Sequence, residues 1–471
     1  MLLRRLYHDR LAQAGYLIAC QATREAIVID PLRDPAPYLE AARQEGVTIT
    51  AVTETHVHAD FLSGAAELAI AANARLLLSG EGDGTAGYDP VAYSAAEWLR
   101  DGDSLTFGQV MLEVLHVPGH TPEHLAFLVT DTAADDAPLG LLSGDFLFVG
   151  DVGRPDLLER AAGMQGTMAR SARRLHASLA RLAPLPDYLQ IWPGHGAGSA
   201  CGKALGAMPQ STLGYERRTN WALGIDDLED FVGRVLAGQP EPPAYFSRMK
   251  QMNAGGAPPF PAPRRQLSDD TLRRAIVDGA LEVDLRPATD FAAGHRAGAI
   301  NVPLGGSFLG WAGSVVPPDR DVVISTSPVL RRDAQLAVRE LALIGLDRIL
   351  GVLVSHDEGA AVDGVRSTLP SVPASALGDE ARRGATVLDV RNRSEWEEGH
   401  VPGARLVPLQ ELRARLDELR GSRRIAVHCQ GGSRSAVAAS VLRAAGFVDV
   451  ANVDGGFAAW VKAGNIPVTG T

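Results

Sequence analysis

The chain has 471 residues, enough for about three globular domains, and its 46% hydrophobic and 21% charged residues are typical of chains that bury real cores. Its 45 Lys and Arg residues are outnumbered by 56 Asp and Glu residues, and the formal net charge of −11 argues against nucleic acid or an anionic membrane surface as a partner. No apolar run reaches the ~18 residues that a bilayer span requires, so we expect no membrane segment.

The N-terminal segment superficially looks like an export signal, with two arginines and a short apolar stretch before Cys20. Asp9 and Arg10 leave that stretch too short for an export signal. The three cysteines, Cys20, Cys201 and Cys429, are odd in number and far apart, so we expect no disulfide framework. This cysteine usage fits a reducing compartment, and we expect a cytoplasmic protein.

The first half of the chain alternates strand-like and helix-like segments. Residues 37–45 are predicted to form a helix, and the predicted strands are residues 16–20, 26–30, 48–53, 110–117, 126–129 and 141–143. Polar side chains of types that bind metals or take part in catalysis follow several of these strands. We therefore expect functional sites at strand ends.

A proline-rich stretch marks the end of the first domain. Pro258, Pro259, Pro261 and Pro263 follow two glycines, and such a segment continues neither helix nor sheet. We predict a first domain over residues 1–250 and a linker over residues 251–266.

An internal repeat follows the linker. The segment beginning Val283-Asp284-Leu285-Arg286 recurs at a fixed offset as Leu388-Asp389-Val390-Arg391, and each copy continues into a Gly-His pair and a Val-Pro-Leu triplet. Each copy then runs through an apolar strand, a loop and a helix, which is the βαβ pattern of a parallel sheet. We predict two related α/β domains, over residues 267–366 and 367–471.

Histidines and aspartates follow the predicted strands of the first domain. His56, His58 and Asp60 alternate directly after residues 48–53, and an extended segment places alternate residues on one side. Three further residues each follow a later strand: His120, Asp145 and His195. Since imidazole and carboxylate groups are common metal ligands, these residues together predict a metal centre.

In this order, the motifs resemble those of the metallo-β-lactamase superfamily, which implies an αββα fold in an α/β multidomain chain. The two-metal hydrolases of that superfamily carry H-x-H-x-D-H, but the last position here is Phe61, whose apolar ring cannot bind a metal. The chain therefore resembles the mononuclear persulfide dioxygenases, and this resemblance implies one Fe(II) per chain. It implies the ligands His56, His120 and Asp145 and the supporting residues His58, Asp60 and His195.

The resemblance also suggests where a thiol substrate binds. Arg154 lies in a Gly-Arg-x-Asp stretch, and we favour a salt bridge to Asp156 over direct substrate contact. Thiol cofactors such as glutathione carry carboxylates that need cationic partners. The candidates for substrate contact are Arg154, Lys203, Arg217 and Arg218. Cys201 follows His195 closely, so it is either a persulfide carrier near the metal or a packing residue.

A second candidate site lies in the last domain, where the predicted strand 425–428 ends at Cys429 and a helix follows. Backbone N–H groups around such a loop lower a thiol pKa and hold an anion. The segment resembles the rhodanese sulfurtransferases, which implies catalytic roles for Cys429 and Arg434 and a buried structural pair of Asp389 with Arg391. The anion-binding loop around this cysteine, called the cradle below, would comprise Gln430, Gly431, Gly432, Ser433 and Ser435.

The first copy of the repeat has no cysteine at the matching place. Its strand 322–324 leads into Ser325-Thr326-Ser327-Pro328, and a hydroxyl cannot carry sulfane sulfur. This copy resembles a rhodanese domain without its nucleophile, and we expect it to be a spacer or an interaction surface.

The whole chain resembles fusions of a persulfide dioxygenase with tandem rhodanese domains. The implied substrates and products are a thiol persulfide such as glutathione persulfide, O2, sulfite and thiosulfate. One alternative is a zinc-dependent thioester hydrolase of glyoxalase II type fused to rhodanese, and another is a non-catalytic sulfur carrier or sensor. The sequence leaves the thiol carrier and the oligomeric state, including a homo-oligomer, open.

Overall fold

The computed structural model describes residues 1–82, 84, 87–160, 163–203, 205–262, 267–354 and 366–470. The chain divides into two units, Met1–Pro261 and Ala262–Thr471. Among the described residues, no helix combines the length and the apolar character needed to cross a bilayer.

Two six-stranded sheets lie in the first unit, and each keeps its strands in chain order. The first sheet contains β1 Leu2–His8, β2 Gln13–Ala19, β3 Glu25–Ile29, β4 Thr48–Thr53, β5 Arg75–Ser79 and β6 Glu97–Leu99. The second contains β7 Ser104–Phe107, β8 Val110–His116, β9 Leu125–Asp131, β10 Gly140–Gly144, β11 Gln190–Pro193 and β12 Ser211–Thr212.

Helices flank these sheets. The described residues form α1 Ala36–Glu45, α2 Ala65–Ala72, α3 Leu157–Arg160, α4 Met168–Ala180, α5 Leu213–Thr219, α6 Leu228–Leu236 and α7 Phe246–Ala254, with a 3-10 turn at Trp221–Gly224. Helices α1 and α2 contact the first sheet, and α4 and α6 pack together over the second. Helix α1 ends at Gly46, whose φ of 65° is the left-handed conformation that glycine adopts without strain.

The main core of the first unit lies between the two sheets. Alternate residues of β8, namely Val110, Leu112 and Val114, point into it, and Tyr16 and Ile18 meet them from β2. This period-two burial is what β-strands impose on a half-buried sheet. The result is the predicted αββα layering, and it brings the loops after β4, β8, β10 and β11 to the candidate metal centre.

The second unit contains two parallel sheets and a small antiparallel pair, β14 with β18. Its strands are β13 Leu281–Asp284, β14 His295–Arg296, β15 Ile300–Asn301, β16 Val322–Thr326, β17 Ile349–Val354, β18 Arg366–Ser367, β19 Ser371–Pro373, β20 Thr386–Asp389, β21 Arg405–Leu406, β22 Ile425–His428 and β23 Val450–Asp454. Its α-helices are α8 Asp269–Val277, α9 Ala288–Ala293, α10 Phe308–Val315, α11 Arg331–Leu343, α12 Leu377–Arg382, α13 Arg393–Glu398, α14 Leu409–Leu412, α15 Ser433–Ala444 and α16 Gly456–Lys462. Short 3-10 helices lie at Pro328–Leu330, Ala374–Ala376 and Leu416–Leu419.

The sequence repeat is also a structural repeat. The sheet order β15-β13-β16-β17 of the first copy has the same pattern as β21-β20-β22-β23 in the second, where β19 adds one edge strand. A ring stacks on a histidine at the same place in each copy, with centroids 3.7 Å apart for Phe291 and His295 and 3.6 Å apart for Trp396 and His400. The two segments therefore share local packing as well as sequence.

The first unit extends beyond residue 250, where the sequence analysis placed its end. Helix α7 continues to Ala254, and Arg33 then donates hydrogen bonds to the carbonyls of Pro258 (3.0 Å) and Pro259 (2.8 Å). The first part of the predicted linker therefore packs onto the first unit. Residues 263–266 of that linker, including Pro263, and residues 355–365 before the predicted boundary between the repeats lie outside the described residues.

Candidate metal centre and cysteine loop

The loop after β4 carries the first candidate ligands, and a buried carboxylate at the end of β3 holds it. Asp30 accepts hydrogen bonds from the Thr55 backbone N–H at 2.7 Å and from the Thr55 hydroxyl at 3.0 Å. The Thr55 hydroxyl therefore presents its lone pairs to Nδ1 of His56, 2.9 Å away. The proton of His56 is thereby placed on Nδ1, which leaves Nε2 free to bind a metal.

Three of the predicted residues converge. One ligand atom from each of His56, His120 and Asp145 lies within 4.8 Å of the others, and all three side chains are buried. Nε2 of His56 is 4.0 Å and Nε2 of His120 is 3.6 Å from Oδ2 of Asp145. Nδ1 of His120 donates to the Arg154 carbonyl at 3.1 Å, so its Nε2 lone pair also faces the carboxylate.

The electrostatics of this triad fit a bound cation. Both carboxylate oxygens of Asp145 are buried, and neither has a hydrogen-bond partner in the described part of the chain; burial raises the pKa of this carboxyl to about 6. Burial, together with the neighbouring histidines, holds the pKa of His56 and His120 well below the usual range. Two neutral imidazoles and one carboxylate form the donor set that suits non-haem Fe(II) and also Zn²⁺.

His58 lies beside the triad but has a different partner. Its Nε2 lies 3.1 Å from Oδ1 of Asp30. Burial disfavours the charged form of His58, but the carboxylates of Asp30, Glu54 and Asp60 together outweigh burial and raise the pKa to about 9. His58 therefore anchors the loop as a cation, and its expected role in supporting the ligands stays a prediction.

A second group of ligand-type side chains borders the triad. Asp60, His195 and Cys201 also place ligand atoms within 4.8 Å of one another, and all are buried. Nε2 of His195 lies 3.3 Å from Oδ2 of Asp60 and 3.5 Å from Oδ1 of Asp145. Burial and the Asp60 and Asp145 carboxylates raise the pKa of the Cys201 thiol well above its usual value. Cys201 thus lies at the metal pocket, one of the two positions that the sequence left open.

Glycines allow the backbone to pass close to this carboxylate. A Cβ on Gly194 would lie 2.7 Å from Oδ1 of Asp145. Only glycine therefore fits at position 194. The chain can pass close to Asp145 there, and His195 enters the pocket directly after β11.

Sequence reasoning missed two residues just after His120. Nε2 of His124 accepts the backbone N–H of Asp145 at 3.0 Å, and its ring stacks on that of His56 with centroids 4.8 Å apart. Burial lowers the pKa of His124 to about 3, which keeps this acceptor unprotonated. Glu123 accepts the Val57 backbone N–H at 3.0 Å. The available signal was a second histidine four residues after His120.

Helix α7 also contributes to the site, with no sequence signal to indicate it. Asn253 donates to the carbonyls of His58 (2.8 Å) and Phe61 (2.7 Å) and accepts the Ser63 backbone N–H at 2.9 Å. One turn earlier, Lys250 is 9% exposed, and its charge helps to lower the pKa of both candidate histidine ligands. Burial in turn lowers the pKa of Lys250.

Three of the four cationic residues predicted to contact substrate instead bind carboxylates or backbone carbonyls of the protein. Arg154 is fully buried, pairs with Asp156 through two 2.8 Å hydrogen bonds and donates to the Pro240 carbonyl at 2.6 Å. Lys203 donates to the carbonyls of Arg234 (2.6 Å) and Ala237 (3.0 Å). Arg217 pairs with Asp187 and donates to the carbonyls of Leu182, Ala183 and Leu185. Arg218 is exposed on α5.

In the second unit, β22 delivers Cys429 to the start of α15. The Cys429 thiol is 2% exposed, and its Sγ accepts the Gly432 backbone N–H at 3.1 Å. Gly432 has a φ of 102°, which a residue with a side chain rarely adopts. A Cβ on Gly456 would collide with the Cys429 carbonyl. Gln430, Gly431 and Ser433 are exposed, so the loop is open to solvent around a sheltered thiol.

The charged groups near Cys429 are paired. Arg434 contacts Glu395 at 2.7 Å, and Arg391 is buried against Asp389 at 2.8 Å. Ser435 donates to Asn452 at 2.6 Å. Arg434 therefore contacts a carboxylate in this structure, although the sequence analysis expected a catalytic role for it. Ser435 lies in the first turn of α15.

Strand register identifies the residue that replaces the cysteine in the first copy. Asp284 pairs with Ser325, as Asp389 pairs with His428, so Thr326 occupies the position of Cys429. Pro328 then stands where Gly431 stands in the second copy. Proline has no backbone N–H, so the first copy lacks one cradle donor as well as the thiol.

Two family models match parts of this chain. The family model described as the metallo-beta-lactamase superfamily matches residues 9–195, and the rhodanese-like domain model matches residues 374–463. A crystal structure of a metallo-beta-lactamase from Staphylococcus aureus is 40% identical with a TM-score of 0.68, and the match covers 76% of this chain and 99% of that one.

Curated relatives carry two different activities in their names. A hydroxyacylglutathione hydrolase-like protein of Homo sapiens is 34% identical over 180 residues, which are 38% of this chain and 54% of the relative. The mitochondrial persulfide dioxygenase of Bos taurus is 28% identical over 197 residues, 41% of this chain and 68% of the relative. The match to the human protein thus spans about half of that relative's length.

Proposed function

This chain belongs to the metallo-beta-lactamase superfamily and carries a C-terminal rhodanese-like domain, and from that premise we propose that it couples a persulfide dioxygenase to a sulfurtransferase. In the proposed oxidation, a thiol persulfide, O2 and water give the thiol and sulfite. The observation that carries the proposal is a set of three ligands, two imidazoles and one carboxylate, in a pocket where Phe61 occupies the place of a further histidine.

We assign one iron per chain to His56, His120 and Asp145. Iron bound there would supply a redox-active centre with open positions for sulfur and oxygen. His58 is left out of this set because the ligand atoms that lie within 4.8 Å of one another come from His56, His120 and Asp145. Three protein ligands leave more of the coordination sphere to substrate than four would.

The surrounding residues keep the donor atoms aimed at the centre. His124 fixes the Asp145 backbone and stacks on the His56 ring, and Asn253 fixes the backbone of residues 58–63. Outer contacts of this kind typically change metal affinity by ~10–100-fold. These side chains are positioning residues of the proposed reaction.

Lys250 is the cation that we assign to the substrate side. It is nearly buried and its charge acts on both histidine ligands, so it favours an anionic persulfide near the centre. Arg154, Lys203 and Arg217 are committed to carboxylates or carbonyls within the fold. Arg218 stays a candidate contact for a substrate carboxylate outside the pocket.

Cys201 is proposed as a second persulfide acceptor, since it lies among Asp60, His195 and Asp145 at the metal pocket. Mass spectrometry after persulfide treatment should then find added sulfur at Cys201 and Cys429 but not at Cys20. An unmodified Cys201 would leave it as a packing residue.

In the second unit, we propose that the Cys429 thiolate attacks the outer sulfur of thiosulfate. The S–S bond of thiosulfate breaks, sulfite leaves with the bonding pair, and Cys429 retains the sulfane sulfur as a persulfide. A thiolate acceptor then removes that sulfur and restores the Cys429 thiolate. The Gly432 N–H and the N-terminus of α15 stabilise the negative charge on sulfur.

Oxygen-electrode measurements with glutathione persulfide test the first activity against its rivals. We expect persulfide-dependent O2 uptake, sulfite formation and one iron per chain after anaerobic purification. Hydrolysis of a glutathione thioester by a zinc-loaded chain without O2 uptake would favour the glyoxalase II-type alternative. Neither activity, with sulfur still held on Cys429, would favour a sulfur carrier.

A further inference from the structure

Two arginines border the cysteine loop of the second unit, and each has a carboxylate partner. Arg434, the second residue of α15, donates to both carboxylate oxygens of Glu395, at 2.7 Å and 3.4 Å. Arg391 lies 3.5 Å from the Gln430 side chain and pairs with Asp389 at 2.8 Å. The protein itself therefore matches the charge of each cation with a carboxylate.

Glu395 is fixed by its own helix, whereas Arg434 reaches it through a long side chain. Oε2 of Glu395 also accepts the Asn392 backbone N–H at 2.9 Å, which completes a capping box at the start of α13. The planar fork of an arginine binds carboxylates and other oxyanions alike. The side chains of Arg434 and Glu395 are 23% and 26% exposed, so an anion from solvent can reach the pair.

A sulfur donor that carries an oxyanion needs a free cation at this loop. Thiosulfate is a dianion, and it must approach Cys429, which is a thiolate when it reacts. The Gly432 N–H and the N-terminus of α15 offset part of this negative charge. Arg434 is placed to offset more of it, but the Glu395 carboxylate opposes its charge and occupies its donors. The paired arginine therefore favours a donor of lower charge.

We propose that Glu395 is a specificity-determining residue of the second unit, because it occupies the guanidinium of Arg434 and so weakens the binding of thiosulfate relative to thiol persulfides. The inference rests on the proposed sulfurtransferase activity of Cys429. Thiosulfate binds tightly only when its oxygens replace the Glu395 carboxylate on Arg434. A persulfide has no sulfonate group, so it reaches the thiolate without that exchange.

Thiosulfate binding to the full chain carrying Cys429→Ser tests this role, because no transfer follows binding in that chain. Glu395→Gln removes the charge and keeps a side-chain oxygen that completes the capping box, so the helix start is preserved. In isothermal titration calorimetry, adding Glu395→Gln should tighten thiosulfate binding by at least ~5-fold. Glu397→Gln makes the same charge change at an exposed position of α13 and should leave the affinity unchanged.

Arg434→Gln is a second variant in the same background, and it should weaken thiosulfate binding. Circular dichroism checks that each variant is folded. Unchanged thiosulfate affinity in folded Glu395→Gln would overturn the proposal, as would an equal gain in Glu397→Gln. Unchanged affinity in Arg434→Gln would overturn it as well, because Glu395 is proposed to act through this arginine.

Transfer kinetics in chains that keep Cys429 separate the effect of charge from a change in the shape of the loop. Glu395→Gln should lower KM for thiosulfate by at least ~5-fold and leave KM for the persulfide of 2-mercaptoethanol, whose body is uncharged, unchanged. An equal fall in both KM values would contradict a role in specificity. Because the calorimetry uses no transfer step, a wild-type chain without sulfurtransferase activity would contradict the proposed function and leave the binding result intact.

Discussion

The side-chain amide of Asn253 donates a hydrogen bond to the backbone carbonyl of Phe61 at 2.7 Å. It joins the last helix of the first unit to the loop that carries the first candidate ligand. The same side chain also bonds the His58 carbonyl and the Ser63 N–H, and it is 1% exposed. One residue far along the chain thus sets the backbone path of residues 58–63.

Replacing Asn253 with alanine should loosen the metal loop. Loss of its hydrogen bonds leaves buried backbone groups unpaired, so we expect a fall of roughly 1–3 kcal/mol in the free energy of unfolding. Iron affinity, measured by chelator competition, should fall by ~10–100-fold. The control is Gln251→Ala on the exposed side of the same helix. Equal iron affinity in the two variants would remove Asn253 from the supporting set.

Removing a proposed iron ligand should separate the two activities. His120→Ala or Asp145→Ala should abolish both iron binding and persulfide-dependent O2 uptake, because two protein ligands cannot hold the ion against solvent. Thiosulfate sulfurtransfer should persist in both variants, since Cys429 lies in the other unit with its own sheet. Loss of both activities in a chain that is folded by circular dichroism would contradict the assignment of separate sites.

The complementary change is Cys429→Ser. A serine hydroxyl does not ionise near neutral pH, so sulfurtransfer should disappear while O2 uptake stays near the wild-type rate. Thr326→Ala, at the register-equivalent position of the first copy, is the matched control and should leave transfer unchanged. If Cys429→Ser still transferred sulfur, the nucleophile would have to be Cys201 or Cys20.

The second unit should lose stability as pH rises, through Glu282. Burial raises the pKa of this carboxyl, whose Oε2 lies 3.9 Å from Arg296 and has no hydrogen-bond partner among the described residues. The folded chain therefore holds the proton more tightly than the unfolded chain does. This contribution to the free energy of unfolding is complete below the unfolded pKa and is lost as pH rises through the folded pKa.

Glu282→Gln should remove that dependence. In urea unfolding at several pH values, the stability of the variant relative to wild type should increase as pH rises above the unfolded pKa. Glu398→Gln, at an exposed position of α13, provides the control and should follow the wild type. A constant difference between wild type and Glu282→Gln across the range would show that this carboxyl does not titrate between the two states.

Local spacing predicted strands, helices and the βαβ repeat, and the family resemblance implied the αββα fold; the α/β multidomain prediction is confirmed. The strand predicted over residues 48–53 is β4, Thr48–Thr53, because period-two alternation reports directly on a half-buried sheet. Histidines and aspartates that follow strands predicted a metal centre, and the resemblance to the persulfide dioxygenases singled out His56, His120 and Asp145 as its ligands. Cys429 could be identified because strand, loop and helix are contiguous. Their roles as ligands and nucleophile stay predictions.

Packing between segments that are far apart in the sequence decides which buried side chains become partners. Two contacts of the metal loop have no local signature in the sequence: Asp30 lies against His58, and Asn253 binds the carbonyl of Phe61. Hydrogen bonds of this kind depend on which buried groups the folded core brings within about 3 Å. Residues far apart along the chain become neighbours only when the sheets and helices pack, so sequence spacing carries no information on these partners.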